Sequence, residues 1–410
     1  MNGKKPVLII KKDKPALIKK SALQDSSNRL IAKTLAGLEE ILRDEIREAG
    51  GKKAEILTRA VAFEGDLACM YRVNYTCRTA LRVLKIIGNY RAGNEHELYQ
   101  RILEVDWSDY ISINSTFAVD AFVSNSKITN SHYASQKVKD AIADQFRRKT
   151  GERPSVDIEN PDLRINLHLN GDQATLSIDS SGDSLHKRGY RRWQGEAPLN
   201  EVLASGMIML SGWSGQTPLY DPMCGSGTLL TEAAMIAGNV PCGYFREKFG
   251  FMNWRDFDSA LWKRVQEEAD AGIIAVNQVI TGSDVNPKTL ASMQQNMTKG
   301  GFEEVITLRQ VAFEDSSPPE GLTGTIITNP PYGERLQKQD LNAFYKMIGD
   351  VLKQKYAGWD VWLITSDYNA LKSVGLRTSR KIKLYNGPLE CRFVKYEMYE
   401  GTRKNKNSGD

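Results

Sequence analysis

Asn329-Pro330-Pro331-Tyr332 follows the short apolar, β-branched run Thr325-Ile326-Ile327-Thr328. The run predicts a buried strand. Two prolines, which lack backbone N–H groups and fix φ, end it and stiffen the loop beyond. One amide and one aromatic ring are thereby set on a rigid ledge at the carboxyl end of a strand, the edge at which open α/β sheets bind ligands. Such a ledge suits methylation of an exocyclic amino group on a base. That nitrogen is a poor nucleophile because its lone pair is delocalised into the ring. The Asn329 carbonyl oxygen and the Pro330 backbone oxygen can accept its two N–H groups and draw it toward tetrahedral geometry, while Tyr332 stacks on the base. The tetrapeptide alone does not distinguish adenine, cytosine or guanine, nor DNA from RNA. A Pro-rich turn bonded to its own backbone is the plainer alternative.

A second constellation lies upstream, in Asp221-Pro222-Met223-Cys224-Gly225-Ser226-Gly227-Thr228, between a short strand (Pro218 to Asp221) and an apolar helix (Leu229 to Ala237). A Gly-rich turn in that position lets a ligand approach the backbone closely. It is not G-x-G-x-x-G and no lysine follows, which excludes a nucleoside triphosphate P-loop. A carboxylate four residues ahead of G-x-G suits S-adenosyl-L-methionine. Asp221 accepts from its ammonium group, and Pro222, Cys224, Gly225, Gly227 and Thr228 form the turn against its amino-acid end. The strand Val279 to Asp284 ends in a second acid, placed for the ribose hydroxyls. After a third strand, Phe313 is a candidate cover for the adenine and Asp315 a candidate acceptor from its amino group, with Glu314 as a rival.

The elements that must position these residues fall into several segments. Residues 1–28 carry seven lysines and little periodicity and read as a disordered basic arm. Residues 29–93 read strand, helix, two strands, helix, strand, a small ferredoxin-like α+β unit. Residues 94–180 form a second module, with a helix over Tyr133 to Lys149 and a hairpin turning at Asn170-Gly171. Residues 181–196 make a basic linker, 197–400 an α/β domain, and 401–410 a disordered tail. The aromatic-rich insertion over 240–275 supplies rings to the core and to the rim of a base pocket. Ile382 to Asn386 and Glu390 to Glu397 pair as an edge hairpin.

Within 410 residues the net charge is only +5, so the placement of charge carries more than its sum. Lys137 lies on the polar side of the second module's helix, whose last turn holds Arg147 and Arg148. In the linker, Lys187, Arg188, Arg191 and Arg192 interleave with Tyr190 and Trp193, a mixture suited to phosphate pairing and base stacking. The five cysteines show no C-x-x-C spacing and the four histidines are scattered, which argues against a metal site or disulfide framework and for a reducing cytoplasm. No apolar run approaches the ~20 residues of a membrane span.

Together, Pro222 to Ala237, Asn329 to Leu336, Asp162 to Asn166 and Gly182 to Arg191 resemble the THUMP-containing class I methyltransferases, in particular the guanine-N2 half of the bacterial large-subunit ribosomal RNA methyltransferase L family. The resemblance covers roughly residues 29–400. It implies a ferredoxin-like unit and a THUMP module that bind RNA, with Arg164 in the binding set, ahead of a Rossmann-like domain that uses S-adenosyl-L-methionine. It also implies a guanine N2 acceptor in 23S ribosomal RNA or a large-subunit precursor, and a monomer. A tRNA guanine, a DNA adenine N6 or cytosine N4, and a non-catalytic RNA-binding assembly factor are the alternatives.

Overall fold

The computed structural model describes residues 28–191, 199–318, 322–331 and 338–399. Two sheets organise them. The first half runs β1 (Arg29–Lys33), α1 (Glu39–Glu48), β2 (Lys52–Leu57), β3 (Ala60–Glu64), α2 (Leu67–Thr76), β4 (Arg82–Arg91), α3 (Glu95–Leu103), β5 (Thr116–Ser124), α4 (Ser131–Thr150), β6 (Ser155–Val156), β7 (Leu163–Asn170) and β8 (Gln173–Asp179). These strands form one eight-stranded sheet in the order β2-β3-β1-β4-β8-β7-β5-β6. The units expected over residues 29–93 and 94–180 are therefore continuous, joined where β4 pairs antiparallel with β8.

Local sequence accounts for these elements. In α1, Leu42 and Ile46 lie four residues apart and are buried, and Gly50 closes the helix at φ 94°. α4 starts on Asn130, whose side chain accepts from Tyr133 N, and stops at left-handed Gly151 after Arg147, Arg148 and Lys149. Gly171 takes φ 62° in the β7–β8 turn.

The second half runs α5 (Glu201–Ser211), β9 (Leu219–Asp221), α6 (Thr228–Ala237), α7 (Ser259–Asp270), β10 (Ile280–Asp284), α8 (Pro287–Gly300), β11 (Ile306–Gln310), β12 (Thr325–Thr328), α9 (Lys338–Lys355), β13 (Asp360–Thr365), α10 (Tyr368–Ser373), β14 (Arg380–Asn386) and β15 (Leu389–Glu397). Its seven strands are ordered β11-β10-β9-β12-β13-β15-β14. The first five are parallel, and β15 and β14 add an antiparallel edge. Strand order reverses between β9 and β12, so a crevice opens at their carboxyl ends. β6 and α10 were not foreseen from periodicity; each is too short to show one.

Four rings of the aromatic insertion lie away from that crevice. Phe249, Phe251, Trp254 and Trp262 join the core of the first half. Trp262 meets Tyr71 and Tyr75 edge-on at 5.8 and 5.3 Å, and the Tyr75 hydroxyl donates to Asp270 at 2.8 Å. Those four rings form a strap under the N-terminal sheet, while Phe245 packs against the core of the second half and Tyr244 is exposed.

Candidate active site

The carboxyl ends of β9, β10 and β12 bring the principal residues together. Asp221 closes β9 and is 1% exposed; its Oδ1 accepts from the Thr328 hydroxyl at 2.7 Å and from Met223 N at 3.2 Å. Burial pushes its carboxyl up to about 7, against the pull of those two donors. Asp284 closes β10. Its two oxygens accept from Gly225 N at 3.0 Å and Asn286 N at 2.8 Å, so it fastens the Gly-rich turn to the start of α8.

The turn itself is locked from below. Ser283 O accepts from Cys224 N, the Ser283 hydroxyl donates to Pro222 O, and the Tyr220 and Ser283 hydroxyls meet at 2.6 Å. Gly225 and Gly227 take φ +52° and +77°, where a side chain would be strained. They are not equivalent. A Cβ at Gly227 would strike Met293 Sδ at 2.3 Å, whereas one at Gly225 would stand in open space. Space is thus open beside Gly225, whose N–H bonds Asp284. Thr228, buried at the first turn of α6, accepts from Arg191.

Asn329 follows β12 directly. Its Oδ1 is buried and, among the described residues, meets no hydrogen-bond donor. A buried amide oxygen left unpaired costs roughly 1–3 kcal/mol, so this atom is a natural acceptor for a ligand N–H. Pro330 is buried and Pro331 half-buried. Tyr332, like Arg192 and Trp193, lies outside the described residues, as do the arm up to residue 27 and the tail from 400.

Four expectations need correction. Phe313 is 4% exposed and packs on Tyr356 at 5.6 Å, so it is core. Asp315 follows it in the same 3₁₀ turn, which Lys355 anchors to α9 through Glu314 O and Ser316 O. Asp315 lines a cavity of about 250 Å3 with Tyr220, Thr281, Arg309 and Trp359, and no residue of the Gly-rich turn lines it. In the linker, Arg188 is 1% exposed; it pairs with fully buried Glu232 and donates to Arg78 O and Leu185 O. Tyr190 bonds the same Glu232 at 3.0 Å. Arg191 pairs with Glu201 at 3.0 Å. Arg188 thereby ties the two halves together, and neither it nor Tyr190 is presented to a nucleic acid, whereas Arg191 is held within the second half and borders a groove. Hydropathy could not show this, because the carboxylates that neutralise them sit on α5 and α6.

The other basic candidates stay near the surface. Arg147 and Arg148 are exposed, Lys137 lies over the Tyr133 ring at 5.3 Å, and Lys187 pairs with Asp183 at 3.2 Å. Arg164 is mostly covered, bonded to Asp120 and to Ile158 O. The residue that sequence reasoning missed is Thr328. Its only signal was a hydroxyl ending an otherwise apolar strand just before Asn329.

Comparison with known proteins agrees with this layout. The chain matches an RlmL ferredoxin-like domain over residues 29–84, a THUMP domain over 92–179 and an RMKL-like methyltransferase domain over 188–395. A Synechocystis protein named as an RNA methyltransferase is 39% identical over 381 residues, which is 92% of this chain and 99% of that one. Among solved structures, one named as a methyltransferase and complexed with SAH superposes at TM-score 0.82 with 31% identity, covering 92% of this chain and 99% of its own. A Listeria monocytogenes protein named as an N6-adenine-specific DNA methylase does so at TM-score 0.81 with 30% identity, covering 93% and 99%.

Proposed function

The chain belongs to the RMKL-like methyltransferases that carry a THUMP domain and an RlmL ferredoxin-like domain, and we propose that it transfers a methyl group from S-adenosyl-L-methionine to the exocyclic N2 of a guanine in 23S ribosomal RNA. RNA methylation is the coarse reading; guanine, N2 and 23S are the finer one.

The residues fit the cofactor. Space is open beside Gly225, whose N–H bonds the Asp284 carboxylate, and the Asp221 carboxylate accepts from Met223 N in the same turn. Asp221 would hold the ammonium, the turn from Pro222 to Thr228 the amino-acid end, and Asp284 the ribose. When bound, the cofactor supplies an electrophilic methyl group on a sulfonium.

The observation that carries the acceptor reading is the buried Asn329 Oδ1, unpartnered among the described residues and next in the chain to Thr328, which bonds Asp221. Asn329 accepts one N–H of the amine and the Pro330 carbonyl the other, which localises the lone pair. Rate then comes chiefly from proximity and alignment. The amine becomes acidic only after alkylation, so water takes the proton and no strong base is needed. The base reaches this crevice by leaving its stack, at a cost of a few kcal/mol.

Nucleoside mass spectrometry of ribosomal RNA from cells lacking the protein tests the reading. One N2-methylguanine should disappear from 23S RNA; an unchanged modification map overturns it. Label in a DNase-sensitive product would assign a DNA amine instead.

A further inference from the structure

The eight-stranded sheet has two unlike faces. Toward the helices, β7 sends Leu163, Ile165, Leu167 and Leu169 into the core. Strand alternation puts Arg164, Asn166, His168 and Asn170 on the other face. There, Phe122, His168, Thr175 and Asn89 stand opposite one another across β5, β7, β8 and β4, one continuous row.

Isolated exposed aromatics are ordinary. This one is not isolated. Phe122 is 58% exposed, and its ring lies parallel to His168, 8° apart with centroids 5.5 Å away. Burial and the nearby Lys33 hold the His168 imidazole below its usual range. Lys33 reaches from β1 across the same face, its ammonium 3.5 Å from Asn166 Oδ1. Beside this row Asp120 and Asp179 are paired with Arg164 and Arg82. What remains is an aromatic platform edged by amides and the Lys33 ammonium.

The face also leads somewhere. Arg164 and Asp179 line a groove of about 1140 Å3 whose walls continue through Lys187, Lys248 and Lys299 to Arg191 and Asn200. Two of its acids, Asp183 and Glu201, are paired with Lys187 and Arg191. Arg191 in turn bonds Thr228, at the Gly-rich turn.

We infer that the open face of the THUMP sheet stacks an unpaired base of a single-stranded RNA segment on Phe122, and that the strand continues along this groove toward Asn329. An aromatic face with adjacent cations is how single strands are held. A-form duplex keeps its bases stacked inside and offers none to such a platform. The inference rests on the RNA methyltransferase reading and adds where the substrate enters.

Fluorescence anisotropy with the full chain tests it, using a labelled single-stranded 12-nucleotide RNA of mixed sequence and the same RNA annealed to its complement. Phe122→Ala should weaken single-strand binding about five- to a hundredfold, the range of one lost base stack, with duplex binding within twofold. Phe122→Trp should restore it. Because Phe122 is exposed, its variants should keep the parent's thermal midpoint and S-adenosylhomocysteine affinity. Single-strand affinity within twofold of the parent, or equal loss on duplex, overturns the platform. So does RNA affinity that survives while association with ribosomal particles is lost, which would give the face to a protein. A parent that binds S-adenosylhomocysteine but no RNA overturns the functional reading itself.

Discussion

The Thr328 hydroxyl donates to the Asp221 carboxylate at 2.7 Å, tying the carboxyl end of β12 to that of β9. One bond thus joins the acid proposed to hold the methyl donor to the residue preceding the proposed amine acceptor. Thr328→Val should strand a buried carboxylate at a cost of about 1–3 kcal/mol. It should also lower both cofactor affinity and turnover, whereas Thr328→Ser should keep all three near the parent. Urea denaturation and single-turnover methyl transfer measure the pair of variants; a valine variant with parental values in both would remove the link.

Asn329→Ala separates binding from chemistry. S-adenosylhomocysteine affinity, read by calorimetry, should stay within about twofold, because Asn329 Oδ1 accepts from no described group. Methyl transfer should fall about a hundredfold or more, the scale of a lost near-attack alignment.

Cofactor binding should depend on pH through Asp221, whose carboxyl burial pushes up to about 7 from 3.8. A raised folded value means the proton is preferred in the folded chain. That contribution to stability is full below 3.8 and is lost as pH rises through 7. The groups facing this carboxyl are the Thr328 hydroxyl, Met223 N and the Asp284 charge. An ammonium ligand needs the ionised form. S-Adenosylhomocysteine should therefore bind roughly tenfold more weakly at pH 6 than at pH 8, releasing about one proton at the lower pH. Calorimetry in buffers of different ionisation enthalpy reads the proton, and Asp221→Asn should flatten the profile.

Arg188→Met leaves fully buried Glu232 without its charge partner. Breaking such a pair costs about 3–5 kcal/mol. Pairing it with Glu232→Leu should recover part of that loss. If Arg188 acted on RNA instead, the single variant would keep its urea midpoint and lose RNA affinity.

The strands and helices that carry a clear apolar period were legible in the sequence, and so was the carboxyl edge with Asp221, Gly225, Asp284 and Asn329. What escaped depended on contacts between distant elements. Arg188 and Tyr190 looked like a nucleic-acid strip because Glu232, which neutralises one and bonds the other, is more than forty positions away in the chain. Phe313 and Asp315 were read from their position after a third strand, but a single 3₁₀ turn held by Lys355 redirects them. The row from Phe122 to Asn89 exists only through strand register, which no single strand discloses.

The strap of Phe249, Phe251, Trp254 and Trp262 has a consequence for inheritance. The catalytic part contributes rings to the interior of the part that precedes it. A gene fragment starting near residue 188 would expose those rings, and one ending near 180 would lack them. Neither piece can be shuffled onto a new neighbour unless that neighbour brings a matching socket.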